Sequence, residues 1–279
     1  MVQAPVRVES ALMGALLLVF VVGYGVHWLR RAFRQPTPTE RSERPSTHLL
    51  LMFDAVQRLF HWSNFVALGI MTLTGMALFI PGLFKPLLEP IGINGLTDKI
   101  YWHVAFAWIL LALIAVHVIW DTLVARGWWN IWPTHRDFSD ARTRARNFLG
   151  LTHAYPRSPK YDIFMKTFHW VLTVSLMILG MTGLYFWNPY GVFPGLSYQT
   201  EFLFRIAHDL FAFLLVGLII GHVYFALLPV NWPVLKGMLV GFITSDDYLK
   251  HFGVTKWKPK AYAATQARVV SSTKIKSKS

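Results

Sequence analysis

One ten-residue pattern occurs twice in this chain, and that repeat limits the folds the chain can form. Residues 53–62 and 161–170 both read aromatic-Asp-x-x-x-basic-x-Phe-His-Trp, and every position is offset by 108 residues. The same offset relates the Thr-Gly pair at 74–75 to the pair at 182–183. A shared offset over this length indicates two copies of one structural unit. Each copy places a histidine where a long apolar segment begins.

The composition predicts an integral membrane protein. The 279 residues are 54% hydrophobic and 15% charged, whereas soluble domains carry about 25% charged residues. A helix that spans a bilayer needs about 20 apolar residues. The apolar segments of about that length are 11–29, 56–80, 99–124, 164–187 and 203–228. The predicted fold is all-α: a pseudo-two-fold four-helix bundle with one additional N-terminal transmembrane helix.

The basic residues predict how the chain crosses the membrane. They fall in three blocks, 30–44, 126–166 and 236–278, and each block adjoins an apolar segment. Cytoplasmic loops are enriched in Lys and Arg, so we expect the N-terminus outside and the C-terminus in the cytoplasm of a bacterium, with the chain in the inner membrane. Because this distribution explains the net charge of +13, no nucleic-acid partner is predicted.

The remaining segments complete the expected domain organisation. Residues 1–34 form an N-terminal anchor, and 35–52, rich in Pro, Ser, Thr and charge, form a cytoplasmic linker. Residues 53–255 contain the four-helix domain, with repeats at about 53–140 and 161–250. Within this domain, 234–251 mixes apolar and charged positions and predicts an amphipathic interfacial helix. The basic tail 256–279 is expected to be disordered.

Six of the eleven histidines lie in the repeated helices. Ionisable residues in spanning segments are uncommon and usually functional. The six histidines of the repeated helices are His61, His103, His117, His169, His208 and His222. A single such histidine is often only packed, but two pairs share one spacing of 14 residues, 103 with 117 and 208 with 222.

The spacing favours stacked haems. Fourteen helical residues span about 21 Å and nearly four turns, so both members of a pair lie on one face, one towards each side of the membrane. Histidines on facing helices can bind haem iron from both sides. A zinc or copper site would need ligands clustered at one depth. Because the chain has no cysteine, covalent c-type haem and iron–sulfur clusters bound by this chain are excluded.

Other repeated residues surround these histidines. Arg58 and Lys166 precede a repeat histidine by three residues and lie on its face of the helix, so they are expected either to pair with haem propionates or to act as positive-inside anchors. The aspartate of each copy would orient the basic residue or cap its helix. The repeated glycines, Gly75 and Gly183, predict a close approach by a macrocycle or a helix.

The chain resembles the membrane cytochrome b (gamma) subunits of respiratory formate dehydrogenases and their relatives in nickel–iron hydrogenases and thiosulfate reductases. The resemblance covers about residues 50–255. The stretches that carry it are Arg58-Leu-Phe-His61-Trp62, Tyr101-Trp-His103, Arg205-Ile-Ala-His208, Gly221-His222-Val-Tyr224 and Lys236-Gly-Met238-Leu-Val-Gly241.

The resemblance implies two b haems in the four-helix domain. His103 and His208 would hold the haem on the outer side, and His61 and His222 the haem on the cytoplasmic side. Electrons would pass from an iron–sulfur or multihaem partner outside to a quinone near the cytoplasmic face. The chain matches the formate dehydrogenase motif Lys-Tyr-Asn-x-Gly-Gln-Lys only at 160, 161 and 166 and differs at 162, 164 and 165, which leaves the quinone site and the specific partner open.

The repeat adds the hypothesis of a third haem. It relates His61 to His169 at an offset of 108 residues and His117 to His222 at an offset of 105, so a pair formed by His61 and His222 has a symmetric counterpart in His117 and His169. The alternatives are that His117 and His169 only pack, or that His117 pairs with His222 directly, as in the cytochrome b of quinol:cytochrome c complexes.

The predicted function is electron transfer. We expect a membrane subunit that links a peripheral respiratory oxidoreductase to quinone through two b haems, with a third as a hypothesis. One alternative is a self-contained haem quinone reductase or oxidase. Another is a haem-free binding or transport protein, which a visible spectrum with b-type bands would exclude.

Overall fold

The structure, a computed structural model, is mostly helical. It describes residues 15–16, 18–27, 29–30, 49–125, 127–149, 151–152, 157, 159–253 and 256–259. The described helices are α1 (Leu18–His27), α2 (Ala55–Phe79), α3 (Pro81–Leu88), α4 (Leu96–Trp120), α5 (His135–Phe148), α6 (Ile163–Trp187), α7 (Pro189–Val192), α8 (Tyr198–Leu227), α9 (Trp232–Val240) and α10 (Ser245–His251); the strands are β1 (Leu49–Leu51) and β2 (Phe242–Thr244).

Among these elements, α2, α4, α6 and α8 are long and apolar enough to cross a membrane. They confirm four predicted helices and the all-α membrane fold, and their bounds differ from prediction by at most five residues. Helices that are apolar on all sides suit a lipid environment. The fifth predicted helix, 11–29, is described in part, and α1 is its longest described stretch; residues 11–14, 17 and 28 of that prediction lie outside the described residues.

Helix α5 lies inside the basic block 126–166, which was expected to contain a cytoplasmic loop. Its start is fixed by a capping box, in which the backbone N–H and the hydroxyl of Thr134 donate to Asp137 Oδ2 at 2.6 and 2.8 Å. The buried positions of α5 include Asp137 and Arg144, so its inward stripe is charged. A search for apolar periodicity therefore does not find this helix.

The prediction of one interfacial helix over 234–251 is wrong. Helix α9 ends at Gly241, whose φ of 97° is left-handed, and glycine adopts this conformation without the cost of a side chain. Strand β2 follows and pairs antiparallel with β1, with Leu50 opposite Ile243. The predicted linker therefore ends in a strand, while residues 31–48 and the tail from 260 lie outside the described residues.

The chain divides into two compact units. Unit 1 comprises Met1–Val26, Leu59–Trp129 and Phe168–Gly221, and it contains most of the four long helices. Within it, Phe20 and Tyr24 of α1 lie against Gly217 of α8, and the Tyr24 hydroxyl donates to the Gly217 carbonyl at 3.3 Å. Gly217 and Gly221 form a small-xxx-small pattern, which lets helices approach closely.

Unit 2 comprises His27–Arg58, Asn130–Thr167 and His222–Ser279. Its apolar core is built on the two strands and α10. The buried members are Leu50, Met52, Phe53, Ile243, Tyr248 and Phe252. The aromatic residues that open the two sequence repeats, Phe53 and Tyr161, meet here, because the Lys160 ammonium lies over both rings at 4.8 and 5.4 Å from their centroids.

Candidate functional site

Two of the predicted ligand histidines face each other across unit 1. His103 is carried by α4 and His208 by α8. Their ring centroids are 6.5 Å apart, and the ring planes are inclined by 65°. The structure therefore brings together the pair that the resemblance assigns to the outer haem.

The repeated threonines hold this pair. Thr74 Oγ1 lies 3.1 Å from His103 Nδ1, and Thr182 Oγ1 lies 2.8 Å from His208 Nδ1. Both threonines are fully buried. Each hydroxyl also lies 2.7 Å from the carbonyl four residues earlier, and a carbonyl can only accept. The single hydroxyl proton is directed to that carbonyl, so the threonine oxygen accepts from the imidazole.

These contacts determine the tautomer of both rings. At His103 the carbonyl of Met71 also lies 3.1 Å from Nδ1, which requires a proton on that nitrogen. Each ring therefore carries its proton on Nδ1 and a lone pair on Nε2. A histidine ligand usually donates its other N–H to such a partner, which fixes the ring and increases its basicity.

The repeated glycines leave room for the rings. A Cβ on Gly75 would lie 3.1 Å from His103 Cε1, and one on Gly183 would lie 3.6 Å from His208 Cε1. The first distance is tighter than ordinary van der Waals contact, and the second is ordinary. The group that approaches each glycine is a histidine ring from a neighbouring helix, and the approach is close at Gly75 only.

The pair fits the axial ligands of a haem. Two metal–nitrogen bonds of about 2 Å and two distances of about 1.2 Å from nitrogen to ring centroid place the centroids about 6.4 Å apart, close to the 6.5 Å observed. In the described part of the chain, no group of three or more His, Cys, Asp or Glu residues could hold a bare metal ion. Two imidazoles without further protein ligands are the donor set that haem iron requires.

His117 and His169 form a second cluster in unit 1. The ring of His117 packs edge-to-face against Phe60, with centroids 5.4 Å apart. Its Nδ1 is buried and has no hydrogen-bond partner among the described residues. His117 and Asp121 lie near His169. A π-helical turn, Asp121–Ala125, follows α4 here, and such turns are frequent at functional sites.

The other predicted ligands, His61 and His222, belong to different units. His61 lies in unit 1, where its ring packs edge-to-face on Trp62 at 5.2 Å between centroids. His222 begins the last segment of unit 2. Their pairing stays a prediction. His27 contacts the hydroxyl of Tyr224 through Nδ1 at 3.1 Å.

Lys166 has a partner within the chain. Its Nζ donates to Asp137 Oδ2 at 2.8 Å and to the Trp132 carbonyl at 3.0 Å, and both charged side chains are almost fully buried. A second ion pair joins Arg144 to Asp162 at 3.0 Å. These contacts give Lys166 a structural role, while the propionate contact, one of its two predicted roles, stays a prediction.

The ion pair between Lys166 and Asp137 affects the pKa of the Asp137 carboxyl. Burial acts to raise the pKa of that carboxyl, but the hydrogen bonds from Lys166 and Thr134 and the Lys166 charge together outweigh it and hold the pKa below its ordinary value. Asp137 is therefore ionised at neutral pH, and it ties α5 to the start of α6.

Arg58 differs from its repeat counterpart. Its Nη1 donates to the Leu239 carbonyl at 3.0 Å, while its Nε is buried without a hydrogen-bond partner in the described part of the chain. The repeated aspartates both cap helices, because Asp54 Oδ1 and Asp162 Oδ1 each accept a backbone N–H three residues later at 2.8 Å. The predicted capping role is thereby confirmed in both copies.

Sequence reasoning did not assign a role to the threonines or to α5. The signal for Thr74 and Thr182 was present, since both recur at the 108-residue offset together with the glycines. The partners of Lys166 had no such signal, because Asp137 has no counterpart in the repeat.

Four apolar helices, two of which carry a half-buried and tautomer-fixed histidine pair, define a membrane cytochrome of the b type. Residues 52–241 match the family model of prokaryotic cytochrome b561. The match covers more than half of the chain, and the chain belongs to this family. The family implies haem b and a membrane protein that transfers electrons. No curated protein matches the chain at a significant level. The narrower resemblance to formate dehydrogenase, hydrogenase or thiosulfate reductase subunits stays a prediction.

Proposed function

We propose that this cytochrome is the membrane subunit of a respiratory oxidoreductase and passes electrons between a peripheral partner and quinone. The observation that carries the proposal is the His103–His208 pair, whose separation suits axial ligation and whose Nδ1 protons are both directed away to threonine. The haem, when bound, supplies a one-electron carrier. The chain binds it and fixes the ligand orientation.

His61 and His222 are proposed to hold a second haem. The support is the sequence repeat together with the 14-residue spacing from His208 to His222. Arg58 is proposed to contact a propionate of this haem, because its buried Nε lacks a partner among the described residues and Arg binds carboxylates with paired donors.

A third haem between His117 and His169 is proposed as well. The support is the buried, unpartnered His117 Nδ1 and the closeness of His117 to His169, since a buried imidazole nitrogen without a partner is costly unless a ligand satisfies it. The test is the molar ratio of extracted haem to protein in His169→Phe, with the exposed His135→Gln as the matched control. We expect a loss of one haem in the first variant only; a wild-type ratio near two would end the third-haem proposal.

The partner is proposed to be an iron–sulfur or multihaem subunit that docks on the outer side, in a bacterial inner membrane with the N-terminus outside. The test has two stages. First, the purified protein should show b-type absorption bands. Second, affinity purification from native membranes should recover a subunit with iron–sulfur or multihaem spectra that reduces, or is reduced by, these haems. Quinone-linked turnover by the protein without any recovered subunit would instead favour a self-contained enzyme.

A further inference from the structure

A cavity of about 550 Å³ lies in unit 1 between the end of α6, α7 and the start of α8. This volume falls within the roughly 300–1,000 Å³ of small-molecule sites. Neither His103 nor His208 lines it, so it is separate from the space between the paired rings. Aromatic side chains form much of its wall, among them Phe186, Tyr190 and Phe193.

The polar groups of this cavity are a proton acceptor and a cation. The Tyr185 hydroxyl donates to Glu201 Oε1 at 2.6 Å, and among the described residues no donor occupies Glu201 Oε2. Tyr185 is only 6% exposed, so it fixes the carboxylate from the buried side. Arg205, one turn further along α8, lines the cavity and forms no ion pair within the described part of the chain.

The cavity lies one aromatic ring away from a ligand histidine. Phe186 lines the cavity and also packs edge-to-face on His208, with centroids 5.5 Å apart. Glu201, Arg205 and His208 follow one another at spacings of four and three residues, so they lie along one face of α8. A molecule in the cavity would therefore be adjacent to the His103–His208 site.

We propose that this cavity binds the ring of a quinol, which rests on the proposed function. A flat hydroxylated ring fits aromatic walls, one hydroxyl is placed against Glu201, and Arg205 donates to the oxygen on the opposite side. A simple anion would use Arg205 but would be repelled by Glu201, whereas a quinol uses both. This site lies at the end of the bundle predicted to face outward, opposite the cytoplasmic quinone site that the resemblance implies.

The step at this site balances without a further reactant. Oxidation of one quinol to quinone breaks two O–H bonds and releases two electrons and two protons. The two electrons would go to b haems, which when bound supply one-electron acceptors. The first proton goes to Glu201 Oε2, and the second leaves with water at the exposed mouth of the cavity.

The inference is tested by binding and by haem reduction in the purified, haem-loaded protein. The binding probe is a short-chain azidoquinone, activated by light and located by mass spectrometry of the peptides. The reduction assay follows the haem bands after anaerobic mixing with a short-chain quinol. The variants are Glu201→Gln and Arg205→Gln, and the matched control is Glu89→Gln, whose carboxylate is exposed and paired with Lys85.

We expect the probe to label residues 189–205 in the wild type and in Glu89→Gln but much less in Arg205→Gln. Loss of a positioned base typically slows a reaction by about 10²–10⁴-fold, so reduction by quinol should slow at least tenfold in Glu201→Gln, with an unchanged dithionite-reduced spectrum. Wild-type labelling and rates in both cavity variants would overturn the inference and leave the proposed function intact. A wild-type protein without b haem would overturn both.

Discussion

Replacing Thr182 with valine should weaken the haem held by His208. Valine keeps the side-chain shape but removes the acceptor at 2.8 Å from Nδ1, which is the one acceptor that the described residues offer to this N–H. A buried donor left unsatisfied costs about 1–3 kcal/mol, and loss of such partners typically lowers metal affinity by about 10–100-fold. Because about 1.4 kcal/mol corresponds to a factor of ten, the two ranges agree.

The same change should shift the redox potential of that haem upwards. The Nδ1–H···O bond makes the imidazole a stronger donor, which favours the ferric state. If the affinity for ferric haem falls tenfold more than the affinity for ferrous haem, the one-electron midpoint potential rises by about 59 mV. The assays are transfer of haem to an apoprotein acceptor and a potentiometric titration followed at the b-haem band.

The repeat provides matched controls for this prediction. Thr74→Val leaves His103 with the Met71 carbonyl at 3.1 Å, so its effect should be clearly smaller. Thr182→Ser keeps the hydroxyl and should restore both affinity and potential. Equal effects of the two valine variants, or a serine variant as impaired as Thr182→Val, would refute the tautomer argument.

Three further predictions follow from the described contacts. Gly75→Ala should lower haem retention more than Gly183→Ala, because the added Cβ lies 3.1 Å rather than 3.6 Å from the histidine ring; haem-to-protein ratios after detergent washing measure this. Asp137→Asn leaves Lys166 buried without its counter-charge, which costs roughly 3–5 kcal/mol and should lower the melting temperature. The pKa of Asp137 is lowered in the folded protein. The stabilisation by its carboxylate is therefore present above the ordinary carboxyl pKa of about 4 and is lost as the pH falls through the folded pKa. The melting temperature of the wild type should decline at acid pH, and the variant should lack this decline. Gly217→Ile should displace the Phe20 ring from α8. Cross-linking between cysteines introduced in α1 and α8 should therefore be weaker in this variant than in Gly69→Ile, because a Cβ added at Gly69 has no atom within 4 Å.

The long helices and the histidine pair were predictable because few physical solutions exist. An apolar run of about 20 residues in a bilayer must satisfy its backbone internally, which leaves the helix. The 14-residue spacing then places His103 and His208 on defined faces. The Thr-Gly repeat marks the residues that contact the histidines. The tautomer of each histidine, however, follows only from the distances between the threonine oxygens of Thr74 and Thr182 and Nδ1.

The remaining features depend on contacts between distant parts of the chain. Helix α5 is held by charges such as Asp137, and the sequence around Lys166 does not reveal this partner 29 residues earlier. The strand pair of Leu50 with Ile243 joins positions far apart, and three-residue strands carry too little alternation to be found. The cavity near Glu201 could not be predicted, because its shape depends on the packing of Tyr185, which lies 16 residues away.

The most direct test is the haem content of the purified protein, measured as the pyridine haemochrome, in the wild type and in His208→Leu. The wild type should carry at least two b haems per chain. His208→Leu should lose one haem and retain the rest, and the exposed His135→Gln should match the wild type. A wild type without haem b, or an unchanged ratio in His208→Leu, would contradict the assignment of His103 and His208 as haem ligands.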